Sequence, residues 1–154
     1  MTSGSGEVIG NRCYGGVYEN PSGYNTNDRA WFLFYSAAGS SHIFYNNTVD
    51  GRFGGQGHLV SIGANVTVTA RDNICYQTGT IYLRTGSVFT ASYNCWYNCA
   101  QTAAGTGDVN ANPLFNNAAG NDYRLTNASP CRNAGITIAP YTACLLYTSP
   151  SPRD

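Results

Sequence analysis

The chain has 154 residues, 42% of them hydrophobic and 13% aromatic, enough to bury one modest core as a single domain. Only 10% are charged, against roughly 25% in an average globular protein, so its polarity rests on Gly, Ser, Thr and 17 Asn, residues of turns and strands rather than of charged helix faces. Eight Arg, no Lys and zero net charge provide no basic field for a nucleic-acid backbone, and no run nears the roughly 18 apolar residues of a membrane span, which excludes both classes.

Residues 1–6, Met-Thr-Ser-Gly-Ser-Gly, lack the positive start and apolar centre of a signal peptide, so a secreted protein with this sequence is expected to be incomplete at its N-terminus. The first element follows at Val8-Ile9-Gly10-Asn11-Arg12-Cys13, with an apolar residue three before the asparagine and another two after it. The template returns at Phe44-Tyr45-Asn46-Asn47-Thr48-Val49, Ala70-Arg71-Asp72-Asn73-Ile74-Cys75 and Ala91-Ser92-Tyr93-Asn94-Cys95-Trp96. The four asparagines stand 36, 26 and 21 residues apart. The last two gaps suit units stacked along one axis, and the first reads as one unit carrying a long loop. That loop holds Asn25, Asn27 and Asp28, oxygen donors without the glycine and distal glutamate of an EF-hand.

Glycines supply a second register, with Gly39, Gly63 and Gly86 lying eight, ten and eight residues before Asn47, Asn73 and Asn94. Each is expected to turn the chain with a positive φ after a strand-like run, at residues 31–36, 58–62 and 80–85. A further run leads from each glycine to the next asparagine, at 42–45, 65–70 and 88–91. Every unit therefore contains three short strands with alternating faces, and the absence of Asn-Gly hairpin turns weakens an antiparallel alternative.

Alternation points Val66 and Val68 inward and Thr67 and Thr69 outward. It also places Cys13, Val49, Cys75 and Trp96 in one inward column. Cys13 and Cys75 are then separated by Val49, at roughly twice the 4.8 Å strand spacing, beyond the roughly 7 Å a disulfide spans between Cα atoms. Asn11, Asn47, Asn73 and Asn94 are predicted to form a structural ladder, each amide bonding to turn main chain and to the amide in the next unit.

The six cysteines suit an oxidising compartment. Cys95 and Cys99 are spaced like half a zinc site, but no second pair follows, so no metal is assigned. Residues 144–154, CLLYTSPSPRD, resemble one reading frame of the transposase mosaic end and adapter of DNA sequencing libraries, and are read as a non-native tail. Setting them aside leaves 1–143 as the domain, with five cysteines.

The segments Gly107-Asp108-Val109-Asn110-Ala111-Asn112-Pro113-Leu114-Phe115, Asp122-Tyr123-Arg124-Leu125 and Ser129-Pro130-Cys131-Arg132-Asn133-Ala134-Gly135 complete the pattern. They resemble the closing segment of right-handed parallel β-helix proteins of the pectate-lyase-like superfamily. Asn112 replaces the common Asp of that pattern and Cys131 the usual small apolar residue. Taken together with the repeats, the resemblance covers residues 6–143 and implies an all-β, right-handed parallel β-helix of about four to five coils, lacking N-terminal coils of the same protein. It also implies an extracellular or cell-surface protein that binds or acts on polysaccharide. Calcium enters only as a cofactor of a longer parent, no cofactor motif being present here.

A groove over the strands after the asparagines would present Asp50, Tyr76 and Tyr97 at one position, Tyr14 on the first unit, and Arg52 beside Asp50. Aromatic faces suit sugar rings, and Arg suits a uronate carboxylate. As the C-terminal part of a lyase, the chain would use Arg71 for charge neutralisation and Tyr76 for proton transfer in a β-elimination whose remaining groups lie upstream, and the fragment alone would be inactive; in the structural alternative the stacked tyrosines cover strands and Arg71 pairs with Asp72 or Asp50. The alternatives are a non-catalytic carbohydrate-binding or adhesin-like surface, and a glycoside hydrolase using Asp50 and Asp72 as its carboxylate pair. His42 and His58, set among apolar residues, are read as packing groups.

Overall fold

The computed structural model describes residues 6–13, 30–52, 58–100 and 105–137; Tyr14, the Asn25 to Asp28 group and the 144–154 tail lie outside them. The described chain is built from β-strands, in the order β1 (Gly6–Ile9), β2 (Arg12–Cys13), β3 (Ala30–Phe34), β4 (Ser41–Tyr45), β5 (Thr48–Asp50), β6 (His58–Ile62), β7 (Thr67–Arg71), β8 (Ile74–Tyr76), β9 (Ile81–Leu83), β10 (Val88–Ser92) and β11 (Cys95–Tyr97). Short strands of branched and aromatic residues punctuated by Gly and Asn cannot each bury a face alone, so they stack. Every third strand joins the same parallel sheet: β1-β4-β7-β10, β2-β5-β8-β11 and β3-β6-β9. The pairings Val8↔Phe44, Phe44↔Ala70 and Ala70↔Ala91 copy the asparagine gaps, so the template is the register. No helix among the described residues is long and apolar enough to cross a membrane.

The core lies between the sheets. Phe44, Val66, Val68 and Ala70 point into it, while Thr67 and Thr69 are only partly covered. Cys13, Val49, Cys75 and Trp96 align as neighbours on β2, β5, β8 and β11. Phe44 also meets Phe32 edge-on at 4.7 Å. Fully burying a side chain of this kind contributes roughly 1.5 to 3 kcal/mol.

The asparagines form one continuous chain of amides. Asn11, Asn47 and Asn73 donate through Nδ2 to Oδ1 of Asn47, Asn73 and Asn94 at 3.1, 3.0 and 2.8 Å. Each acceptor oxygen also takes the main-chain N–H of the donor residue, at 3.0, 2.9 and 3.0 Å. The second Nδ2 hydrogen of Asn73 goes to the Phe44 carbonyl at 2.7 Å, so all four bonds available to this buried amide are made.

Asp108 is the fifth rung. Its Oδ1 accepts from the Asn94 N–H at 2.8 Å and from Nδ2 at 3.3 Å, and its Oδ2 from the Gly105 N–H at 2.8 Å and the Trp96 indole at 3.0 Å. A carboxylate only accepts, so it ends the donor chain without leaving an amide hydrogen unpaired. Parallel bridges Ser92↔Thr106 and Cys95↔Val109 carry the stack past this rung.

Two corners explain the spacing. The residue directly before each rung is left-handed: Gly10, Asn46, Asp72, Tyr93 and Gly107, with φ of 69°, 56°, 54°, 58° and 73°. Ala70 and Asn73 both face inward although three residues apart, so alternation slips once, and the left-handed residue absorbs the slip. The second corner corrects the expectation for Gly63. The left-handed residues there are Gly39, Asn65 and Gly86, each eight before its asparagine. Gly63 instead makes room, since a Cβ on it would stand 3.1 Å from the Tyr35 ring.

After β11 the chain forms an antiparallel hairpin, β12 (Phe115–Asn117) and β13 (Asp122–Leu125), around a 3₁₀ turn at Ala118–Gly120. It packs on the outer face of the β2-β5-β8-β11 sheet, where Ile74, Cys95 and Cys131 form a second apolar cluster with Val109, Phe115 and Leu125. Asn73→Ala is expected to cost about 3 to 5 kcal/mol in urea unfolding, because it strands several buried partners at once. Asn11→Ala, at the exposed end of the same chain, should cost under about 1 kcal/mol; equal losses would show that the amide chain does not carry the load.

Candidate functional site

The strand after each rung brings Asp50, Tyr76 and Tyr97 into one outward row, by the pairings Asp50↔Tyr76 and Tyr76↔Tyr97. The two tyrosine rings stack at 5.3 Å with 29° between planes. Asp50 is only 1% exposed, because the closing hairpin lies over it. Its carboxylate is shared by Arg52, whose Nε and Nη2 reach Oδ2 at 2.8 and 2.6 Å, and by the Tyr123 hydroxyl, which donates to Oδ2 at 2.8 Å. Arg52 further donates to the Ala118 carbonyl at 2.6 Å, tying β5 to the hairpin turn.

This network is fully charge-compensated. The Asp50 hydrogen bonds hold the Arg52 guanidinium above its ordinary value despite partial burial. Burial, then the Asp50 hydrogen bond, pushes the Tyr123 phenol up to about 12, so it stays a neutral donor at physiological pH.

Next to the network a cleft of about 370 Å³ opens between the sheet and the hairpin. Arg52 and Tyr76 form its sheet side; Asn112, Phe115, Asn116 and Asn117 stand on the hairpin side. The Arg52 guanidinium lies 5.5 Å from the Tyr76 ring centre, and Phe115 packs against the same ring at 5.5 Å. No carboxylate, imidazole or lysine lines this cleft among the described residues. It therefore offers aromatic side chains, side-chain amides and a cation already balanced by Asp50, a surface suited to hydroxyl-rich ligands.

Arg71 is placed elsewhere, at the end of β7 before the rung corner and outside the cleft. Its Nε is buried without a hydrogen-bond partner, as are Oδ2 of Asp72 and Oδ1 of Asn46. Asp72 is fully buried, and its Oδ1 accepts the Ile136 N–H at 3.0 Å. Burial raises its carboxyl, with the Ile136 N–H and the Arg71 charge acting in the opposite direction. Asp50 and Asp72 thus occupy separate buried environments, one held by Arg52 and Tyr123 and the other by Ile136. His42 Nε2 meets the Ser36 hydroxyl at 2.8 Å, and His58 stacks on Tyr82 at 5.1 Å. Among the described residues no three His, Cys, Asp or Glu side chains are gathered to hold a metal.

The hairpin side of the cleft, Asn112 and Phe115 to Asn117, was not anticipated from the repeat pattern. Its one sequence signal is the closing motif, which names the segment without saying which sheet face it covers. No protein-family model matches the chain, and no curated protein or solved structure matches it either.

Asp72 yields a pH prediction. Its folded-state value is raised, so its contribution is fully present below the unfolded value of about 4 and is lost as pH rises through the folded one. Asp72→Asn keeps a residue that tolerates φ of 54°, as Asn46 does at the aligned corner, and removes the buried charge. The variant should be more stable than the parent at pH 7, with the difference shrinking towards zero near pH 3.5. Thermal midpoints at the two pH values check this, and a variant that is less stable at pH 7 refutes it.

Proposed function

We propose that this chain is a right-handed parallel β-helix of about four to five coils that works outside the cell or at its surface, and that its cleft recognises polysaccharide without cleaving it. The single observation carrying this reading is the cleft lining: the Tyr76 ring and three amides, Asn112, Asn116 and Asn117, beside an arginine committed to Asp50. Tyr76, stacked on Tyr97, continues the aromatic lining from Phe115, and amides both donate to and accept from sugar hydroxyls.

Bond cleavage asks for more than this cleft holds. A β-elimination requires a cation free to neutralise the uronate, a base for the adjacent proton and an acid for the leaving oxygen. Arg52 is occupied, and Arg71 stands outside the cleft. A hydrolase requires two carboxyls facing one bond, whereas Asp50 and Asp72 are buried by separate partners. Lyase chemistry belongs, in this reading, to a longer parent in which further coils complete the set.

The test is a titration of the chain with pectin, alginate and neutral xylan fragments in affinity electrophoresis, followed by ultraviolet absorbance for unsaturated products. Saturable binding is expected for at least one of them, weakened about tenfold or more by Tyr76→Ala and severalfold by Asn116→Ala, with no absorbing product. Binding unchanged in both variants, or no binding, overturns the reading; accumulating unsaturated product restores the lyase.

A further inference from the structure

The closing segment is held to the stack at a point that sugar recognition does not use. Cys95, on β11, is 1% exposed and points away from the central core, since its neighbour Trp96 occupies the inward position. Cys131 lies 36 residues further on and is fully buried against it, in the cluster formed with Ile74, Val109, Phe115 and Leu125. Cys95 Sγ donates to the Ala111 carbonyl at 3.4 Å, while the Cys131 N–H donates to the Ser129 hydroxyl at 3.1 Å, so both residues are anchored within this cluster.

The other described cysteines are arranged differently. Cys13 and Cys75 are two strands apart in the inward column, with Val49 between them. Cys99 Sγ donates to the Cys75 carbonyl, at 3.2 Å, and to the Tyr97 carbonyl, at 3.5 Å.

We propose that Cys95 and Cys131 form a disulfide that locks the closing segment onto the last strand of the β2-β5-β8-β11 sheet. The thiolate of one of the two attacks one sulfur of an external disulfide such as oxidised glutathione and expels one glutathione thiolate. The other, losing its proton, then attacks the protein sulfur of the mixed disulfide and expels the second. Two protein thiols become one disulfide, two electrons pass to the reagent, and two glutathione thiols are released. Both sulfurs are covered once the segment has docked, so the exchange takes place during folding, before the cluster closes.

The experiment refolds the full chain in a mixture of oxidised and reduced glutathione, alkylates remaining thiols, and maps the non-reduced digest by mass spectrometry with fragmentation that separates Cys95 from Cys99. A Cys95–Cys131 linked peptide is expected, together with a thermal midpoint roughly 5 to 10 °C above that of the reduced chain. Cys131→Ser should abolish that redox-dependent shift and Cys75→Ser should retain it. Both thiols recovered alkylated after oxidative refolding, or Cys131 linked to any other cysteine, overturns the proposal. The peptide map of the unmutated chain decides the matter even if a variant does not fold.

Discussion

The structure hangs on a one-way chain of amides. Each rung oxygen takes two donors from the rung before it, and each rung nitrogen gives to the rung after it, so no single amide can turn over without leaving two donors facing each other. Polarity of this kind fixes more than energy. A one-residue slip in any strand would carry its asparagine out of the chain and put the left-handed corner residue in its place. Register therefore follows from hydrogen-bond direction as well as from apolar fit. Asp108 completes the logic as an acceptor that asks for no further partner, and by holding the Trp96 indole it also fixes the largest side chain at that end of the core.

Much of this is legible in the sequence because the repeat is written in residue types with few substitutes. An inward amide at a corner has no apolar stand-in, and the apolar positions flanking it recur at fixed offsets. The strand triplets, the inward column and the rung pairing all follow from those offsets. The errors arise where the geometry accepts more than one residue. Asparagine serves as well as glycine in a left-handed corner, so the Gly63 position misleads while Asn65 supplies the turn. Asp108 is missed for a related reason: it follows Asn94 by only 14 residues and has traded the amide for a carboxylate, so it matches neither the spacing nor the residue of the template.

The candidate site is less legible, because alternation assigns a side chain to a face without saying what covers that face. Asp50 and Tyr123 are 73 residues apart, yet their contact decides whether Asp50 is a surface carboxylate or a buried acceptor. Arg52 is similar: beside Asp50 in sequence it reads as a free cation over a groove, whereas the hairpin turn draws it onto the Ala118 carbonyl as well. Information about such contacts resides in the segment after β11, which carries no periodicity to aim it.

The same covering creates the cleft. Without the hairpin, the row of Asp50, Tyr76 and Tyr97 would be a flat strand face, with a charge open to water and nothing opposite the rings. With it, the charge is neutralised by Arg52, and Phe115, Asn116 and Asn117 supply a second wall. Burying Asp50 would be costly alone; pairing it with Arg52 and Tyr123 offsets that cost only while the hairpin is docked. Wall and neutralisation are consequently one event, and whatever holds the closing segment down also keeps the cleft formed.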